Sequence, residues 1–116
     1  MDRFFCIAPM MRRTDRHFRY LCSLLSSEAI LFTEMTHANA INRNNPEKFL
    51  NNSDVSNSTV LQIGGSSPKE LREATFKSNE FNYSEINLNL GCPSPKVQSG
   101  NFGAVLMKDL NLVKNC

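Results

Sequence analysis

The residues best suited to chemistry lie at the ends of four apolar stretches. The most informative is Ile86-Asn-Leu-Asn-Leu-Gly-Cys92-Pro, where apolar and polar residues alternate and the run stops at Gly91-Cys92-Pro93. That pattern reads as a strand entering a rigid turn and carrying one cysteine to its C-terminal tip. A free cysteine is most often a small buried apolar side chain. At the tip of a strand in a parallel α/β sheet, however, it faces the ligand side of the fold. An ordinary thiol has a pKa of about 8.5, so it is protonated at neutral pH and can donate a proton to a developing carbanion. Gln62 offers both a donor and an acceptor to the edge of a heterocycle. Asn87 and Asn89 are two apart and share a strand face, although one of them can instead serve buried backbone groups. Neutral amides beside a proton-donating thiol suit a planar, uncharged heterocycle undergoing reduction.

Other chemistries fit less well. Gly64-Gly65-Ser66-Ser67 resembles a phosphate loop only loosely, and neither GxGxxG nor a P-loop occurs. A nucleophilic Cys92 would need a base such as His17 or His37, and no signature ties either to it. Cys6, Cys22, Cys92 and Cys116 contain no CxxC pair, and both histidines stand apart from them, so no metal site is expected.

The elements that must position these groups alternate. Phe4–Met10, Ala29–Met35, Ser58–Ile63 and Glu85–Leu90 read as buried strands. Thr14 is expected to cap a first helix, whose Phe18, Leu21, Cys22 and Leu25 form one apolar face. One or two helical turns are expected over 36–43. Ser67-Pro68-Lys69-Glu70 is a helix start with a capping box, and Asp109 caps a last helix after a loop containing Gly100 and Gly103. Residues 42–58 are Asn-rich and read as a solvated loop with an ordered patch at Phe49 and Leu50. A β-α-β-α-β-α-β-α order predicts an α/β fold with a parallel sheet and right-handed crossovers. Its strand ends collect Pro9-Met10-Met11, Glu34-Met35, Gln62 with Gly64-Gly65, and Asn87, Asn89 and Cys92.

The bulk composition sets limits. The chain has 116 residues, 41% hydrophobic and 21% charged, with a net charge of +2. This is ordinary for a globular domain and too weakly basic to argue for nucleic acid. Arg12, Arg13, Arg16 and Arg19 are read as a solvated face. Met1 is followed by Asp2 and Arg3 without a signal peptide, and no apolar run approaches membrane-spanning length. We therefore expect an intracellular, cytoplasmic protein with reduced thiols, and we take the glycosylation sequons at Asn51, Asn57 and Asn82 as chance.

Several segments together carry a resemblance. Ala8-Pro9-Met10, Thr14-Asp15-Arg16 with Phe18-Arg19, Thr33-Glu34-Met35, Leu61-Gln62-Ile63-Gly64-Gly65 and Asn87-Leu-Asn89-Leu-Gly-Cys92-Pro-Ser94 resemble the tRNA-dihydrouridine synthases. Asp15–Tyr20 and Val97–Ala104 are similar to the bacterial A-type branch. Ala-Pro-Met alone occurs in other flavin-binding barrels; the Gly-Cys-Pro-Ser segment with its asparagines is the specific part. The resemblance implies a TIM (β/α)8 barrel holding FMN, reduced by NADPH, and hydride transfer to a uridine of tRNA. Cys92 would be the proton donor to C5, Pro9, Met10, Met11 and Gln62 would contact FMN, and Asn89 would lie near a flipped-out uridine.

The chain departs from the family pattern at Arg12-Arg13, and it ends after about four βα units where a barrel has eight. We therefore expect the N-terminal part of the barrel, without the second half or the helical tRNA-binding domain. Such a half barrel would leave open edges and an uncovered inner layer. The competing readings are a flavin-dependent reductase or dehydrogenase of a free pyrimidine, and a non-catalytic half-barrel remnant.

Overall fold

The computed structural model describes residues 5–53, 55 and 57–116. Phe4, expected to open the first strand, lies outside them, as do Asp54 and Ser56 of the Asn-rich segment. The elements in chain order are β1 (Cys6–Ile7), α1 (Arg16–Leu25), β2 (Ile30–Phe32), β3 (Thr36–His37), α2 (Ala38–Arg43), α3 (Glu47–Leu50), β4 (Thr59–Gly64), α4 (Pro68–Ser78), β5 (Glu85–Leu88), α5 (Pro95–Ser99), a 3-10 helix (Gly103–Lys108) and α6 (Leu110–Asn115).

Among the described residues all the strand pairs are parallel. β1 pairs β2, β2 and β3 pair β4, and β5 pairs β4. Ile63 pairs both Thr36 and Leu88. β3 therefore occupies the edge of β4 opposite β5, which is the edge β2 occupies further down. β2 and β3 form one interrupted line, and the sheet runs in chain order. Between Phe32↔Val60 and Thr36↔Ile63 the β2–β3 line spends one residue more than β4, so 33–35 is a bulge. The four expected strands match the sheet lines, but the second is broken and the first is only two residues long.

Alternation along β4 and β5 separates the two faces. Leu61, Ile63, Ile86 and Leu88 pack with Ala38 and Ile41 of α2, Leu50 of α3, and Leu71 and Ala74 of α4. On the other face Val60 meets Ile30 and Phe32, so part of the inner layer expected to be bare is buried. Gln62 and Asn87 come next on that face, paired in register. β5 lacks the long apolar run of a doubly covered strand because this face is spent on polar groups.

The caps fit the sequence in two places and depart from it in one. Ser67 accepts from the Glu70 N–H with Pro68 at the first helical position, and Asp109 accepts from Leu112 N–H. At α1, however, Asp15 is the cap, accepting from Phe18 N–H at 2.8 Å. Thr14 is instead buried and tied to Met10: its hydroxyl donates to Met10 O and accepts from Met10 N–H.

Four further expectations are corrected. Arg19 does not sit on a solvated face. It is buried, with Nη1 donating to Thr14 O at 2.7 Å and Nη2 to Asn52 Oδ1 at 3.4 Å. The 42–58 segment is not a solvated loop throughout, because Leu50, Val55, Asn52 and Asn57 are buried and Asn57 donates to both Ser26 O and Ala29 O. The expected loop after Cys92 contains α5 and the 3-10 helix, since Ser94-Pro95 supplies a cap followed by a residue preset for helix. The expected apolar face of α1 is largely uncovered: Leu21 and Leu25 are exposed, and only Cys22 joins a core cluster.

Candidate functional site

Pro9, Met10, Met11, Gln62, Asn89 and Cys92, drawn from three separate strand lines, line one cleft of ≈ 650 Å³ together with Met35 and Asn87. The β1–α1 turn presents its residues because Met10 is anchored from behind. Arg13 and Thr14 N–H groups both donate to Met10 O, and the Thr14 hydroxyl closes on the same residue. Met10 and Met11 remain largely exposed at the rim. Arg12, where the family pattern is broken, accommodates the turn with φ 61 and gives its N–H to the Glu34 carboxylate. A left-handed residue that is not glycine carries a local cost.

The polar wall is a chain of amides. Asn89 Oδ1 accepts from the backbone N–H of Cys92 at 3.0 Å and of Gly91 at 3.3 Å. Asn89 Nδ2 donates to Gln62 Oε1 at 2.9 Å, and Gln62 Nε2 donates to Asn87 Oδ1 at 2.8 Å. Gln62 is buried. Its own N–H is taken by the Thr33 hydroxyl at 3.0 Å, which in turn donates to Glu34 O at 2.8 Å. The bulge withholds a backbone carbonyl from Gln62, and the threonine hydroxyl takes its place.

Cys92 is half-buried and free. Its thiol donates to Ser94 Oγ over 3.6 Å, while that oxygen also accepts from Val97 N–H at the start of α5. Ala104 N–H returns to Cys92 O at 3.1 Å. The cysteine is thereby held by Asn89 before it, Ser94 after it and the 3-10 helix behind it.

Neither histidine lines this cleft. His37 Nδ1 accepts from Asn39 N–H as the cap of α2, and its ring meets Phe102 edge-on at 4.8 Å. His17 is exposed on α1. A cysteine–histidine nucleophile therefore has no geometric support. Among the described residues no cluster of three or more His, Cys, Asp or Glu could hold a metal ion, and no helix is long and apolar enough to cross a membrane. A second cleft of ≈ 570 Å³ between α1 and α3 mixes Asp15, Glu34 and Glu47 with Arg16, Arg19 and Lys48.

Sequence reasoning passed over Thr33 and Ser94 as individual contributors. The Ser-Pro pair could have revealed the second as a helix cap. Nothing local marks the first, because its role depends on a bulge that arises only on pairing with β4.

A parallel α/β sheet in chain order, with a thiol and an amide chain at one strand-end cleft, defines the class. Residues 6–116 match the model of the family described as Dihydrouridine synthase (Dus), and the chain belongs to this family. Among similar proteins is a tRNA-dihydrouridine(20/20a) synthase of Synechocystis sp., 47% identical over 110 residues, which cover 95% of this chain and 33% of the relative. The protein of the same name from Shewanella oneidensis is 45% identical over 116 residues, 100% of this chain and 34% of the relative. That from Yersinia pestis is 44% identical over 112 residues, covering 97% and 32%. The chain thus spans about a third of the length of the curated relatives it matches.

Proposed function

We propose that this chain is the N-terminal part of the catalytic domain of a tRNA-dihydrouridine synthase, which reduces the C5–C6 double bond of uridine in tRNA using FMN and NADPH. The carrying observation is convergence: six residues singled out by sequence, spread from Pro9 to Cys92, line one cleft. The chain-ordered parallel sheet, with helices packed on the face opposite Gln62, supports reading the domain as the first part of a TIM barrel, about four βα units long.

The residues present fit a flavin ring system. Pro9, Met10, Met11 and Met35 offer an apolar wall against a flat ring, and Gln62 with Asn87 offers amide groups to a heteroatom-bearing edge. When bound, FMN supplies the hydride that it takes from NADPH. The chain's own residues do the remainder. Cys92 holds a proton on Sγ and delivers it to C5 of the uracil ring. Ser94 Oγ and the Asn89-held turn hold Cys92 in place at the cleft wall. Asn89, whose Oδ1 accepts from Cys92 N–H, is the residue this reading assigns to contact with the uridine, which must leave the base stack to reach the thiol. This reading carries with it an intracellular location alongside tRNA.

The test is Cys92→Ala in the full-length protein. Dihydrouridine formation on tRNA is expected to fall by about 10²–10⁴-fold, the usual contribution of general acid catalysis, with the yellow flavin still bound. An unchanged rate would remove Cys92 from the mechanism.

A further inference from the structure

Asn87, set with Gln62 at the flavin edge above, ends the amide chain. The polarity of the chain is fixed at the other end. Backbone N–H groups can only donate, so the oxygen of Asn89 must face Gly91 and Cys92. Its nitrogen then faces Gln62 and donates to Oε1. This turns Gln62 Nε2 towards Asn87, whose Oδ1 accepts. What remains is Asn87 Nδ2, which has no partner among the described residues and belongs to a side chain lining the cleft.

We propose that Asn89, Gln62 and Asn87 form a polarity relay, and that Asn87 is a specificity-determining residue presenting a hydrogen-bond donor to the ring in the cleft. The proposal rests on reading the cleft as a flavin site. It adds that the ring must place an acceptor, a carbonyl oxygen or an unprotonated nitrogen, against β5. The turn carrying the proton-donating thiol thereby dictates, through two side chains, which group meets the ring. Asn89 and Gln62 act on Asn87 as positioning residues in this respect.

Two isosteric changes separate the parts. In Asn89→Asp the carboxylate still accepts from Gly91 and Cys92 but cannot donate. Gln62 must then turn its nitrogen to residue 89 and its oxygen to Asn87, whose amide reverses and leaves an acceptor in the cleft. In Asn87→Asp the relay keeps its direction, and only the free donor becomes an acceptor.

The experiment uses full-length protein with labelled side-chain amides, together with titration by FMN. In the unmodified protein, the Gln62 amide protons are expected to show proximity to Asn87 and not to Asn89; in Asn89→Asp this preference reverses. Both variants are expected to bind FMN about tenfold more weakly, as for loss of one well-placed hydrogen bond to a buried partner. Gln62 protons beside Asn89 in the unmodified protein, or beside Asn87 in Asn89→Asp, would overturn the relay. FMN affinity of Asn87→Asp equal to that of the unmodified protein would overturn the donor role. Failure of the unmodified protein to take up FMN would overturn the flavin reading and the donor role with it, while the amide protons would still decide the relay.

Discussion

Gly103 lies directly against the carbonyl of Cys92. A Cβ built on Gly103 would fall 2.7 Å from Cys92 O and 2.5 Å from Val97 Cγ1, and the residue has φ +71. The chain leaves the cysteine, forms α5, and returns so tightly that no side chain fits at the point of return. Ala104 N–H then bonds the same carbonyl. The backbone that carries the thiol is therefore clamped from the far side of its own loop.

Gly103→Ala is expected to destabilise the protein by about 1–3 kcal/mol from the left-handed conformation alone. Because part of the clash is with the Cys92 carbonyl, the backbone at Cys92 must also shift. The rate of alkylation of Cys92, measured on folded protein against the same cysteine in denaturant, is expected to change along with the unfolding midpoint. An alanine variant with unchanged stability and unchanged thiol reactivity would show that the contact has no such role.

The Thr33 hydroxyl satisfies the Gln62 N–H inside the sheet. Thr33→Val keeps the shape and removes the acceptor, leaving a buried N–H unpaired at a cost of about 1–3 kcal/mol. Thr33→Ser keeps the acceptor and is expected to cost less than about 1.5 kcal/mol. Urea unfolding at a common m-value distinguishes them. Equal losses in the two variants would assign the effect to packing rather than to the hydroxyl.

Tyr83 gives the fold a sensitivity to alkaline pH. Burial pushes its phenol up to about 12, with the nearby Arg19 charge opposing the shift, and its hydroxyl donates to Leu50 O at 2.9 Å. Below pH about 10 the tyrosine is protonated in both the folded and unfolded chain, so its contribution is intact. Between about 10 and about 12 the unfolded chain loses the proton first, and stability falls by roughly 3 kcal/mol. Tyr83→Phe is expected to remove that part of the decline, at a cost of about 0.5–1.5 kcal/mol at neutral pH. Parallel alkaline stability curves for the two proteins would contradict the assignment.

Much of this arrangement is legible in the sequence because strands and caps are encoded locally. The Ile86–Leu90 alternation separates a packed face from a polar one, and Ser67-Pro68 and Asp109 mark helix starts. Three features are not local and were misread. Thr14 looks like a cap, but its hydroxyl is taken by Met10, which moves the cap to Asp15. Arg19 looks like surface charge until α1 places it against Thr14 O and Asn52. The asparagines of 42–58 look like solvated filler, yet an amide that bonds two carbonyls from a distant segment has the same composition as one that bonds water. At the site, the types and spacing of Gln62, Asn89 and Cys92 suggested a shared ligand. The direction of the hydrogen bonds between them depends on the Gly91–Cys92 backbone and appears only in three dimensions.

One of those asparagines has a biosynthetic consequence. Asn57 begins a sequon, and in the folded chain its Nδ2 donates to Ser26 O at 2.8 Å and Ala29 O at 2.7 Å. An oligosaccharide would have to be attached at that same nitrogen, displacing a proton used to join the end of α1 to the start of β2. At Asn57, glycan attachment would therefore break one of the two hydrogen bonds that tie the end of α1 to the start of β2.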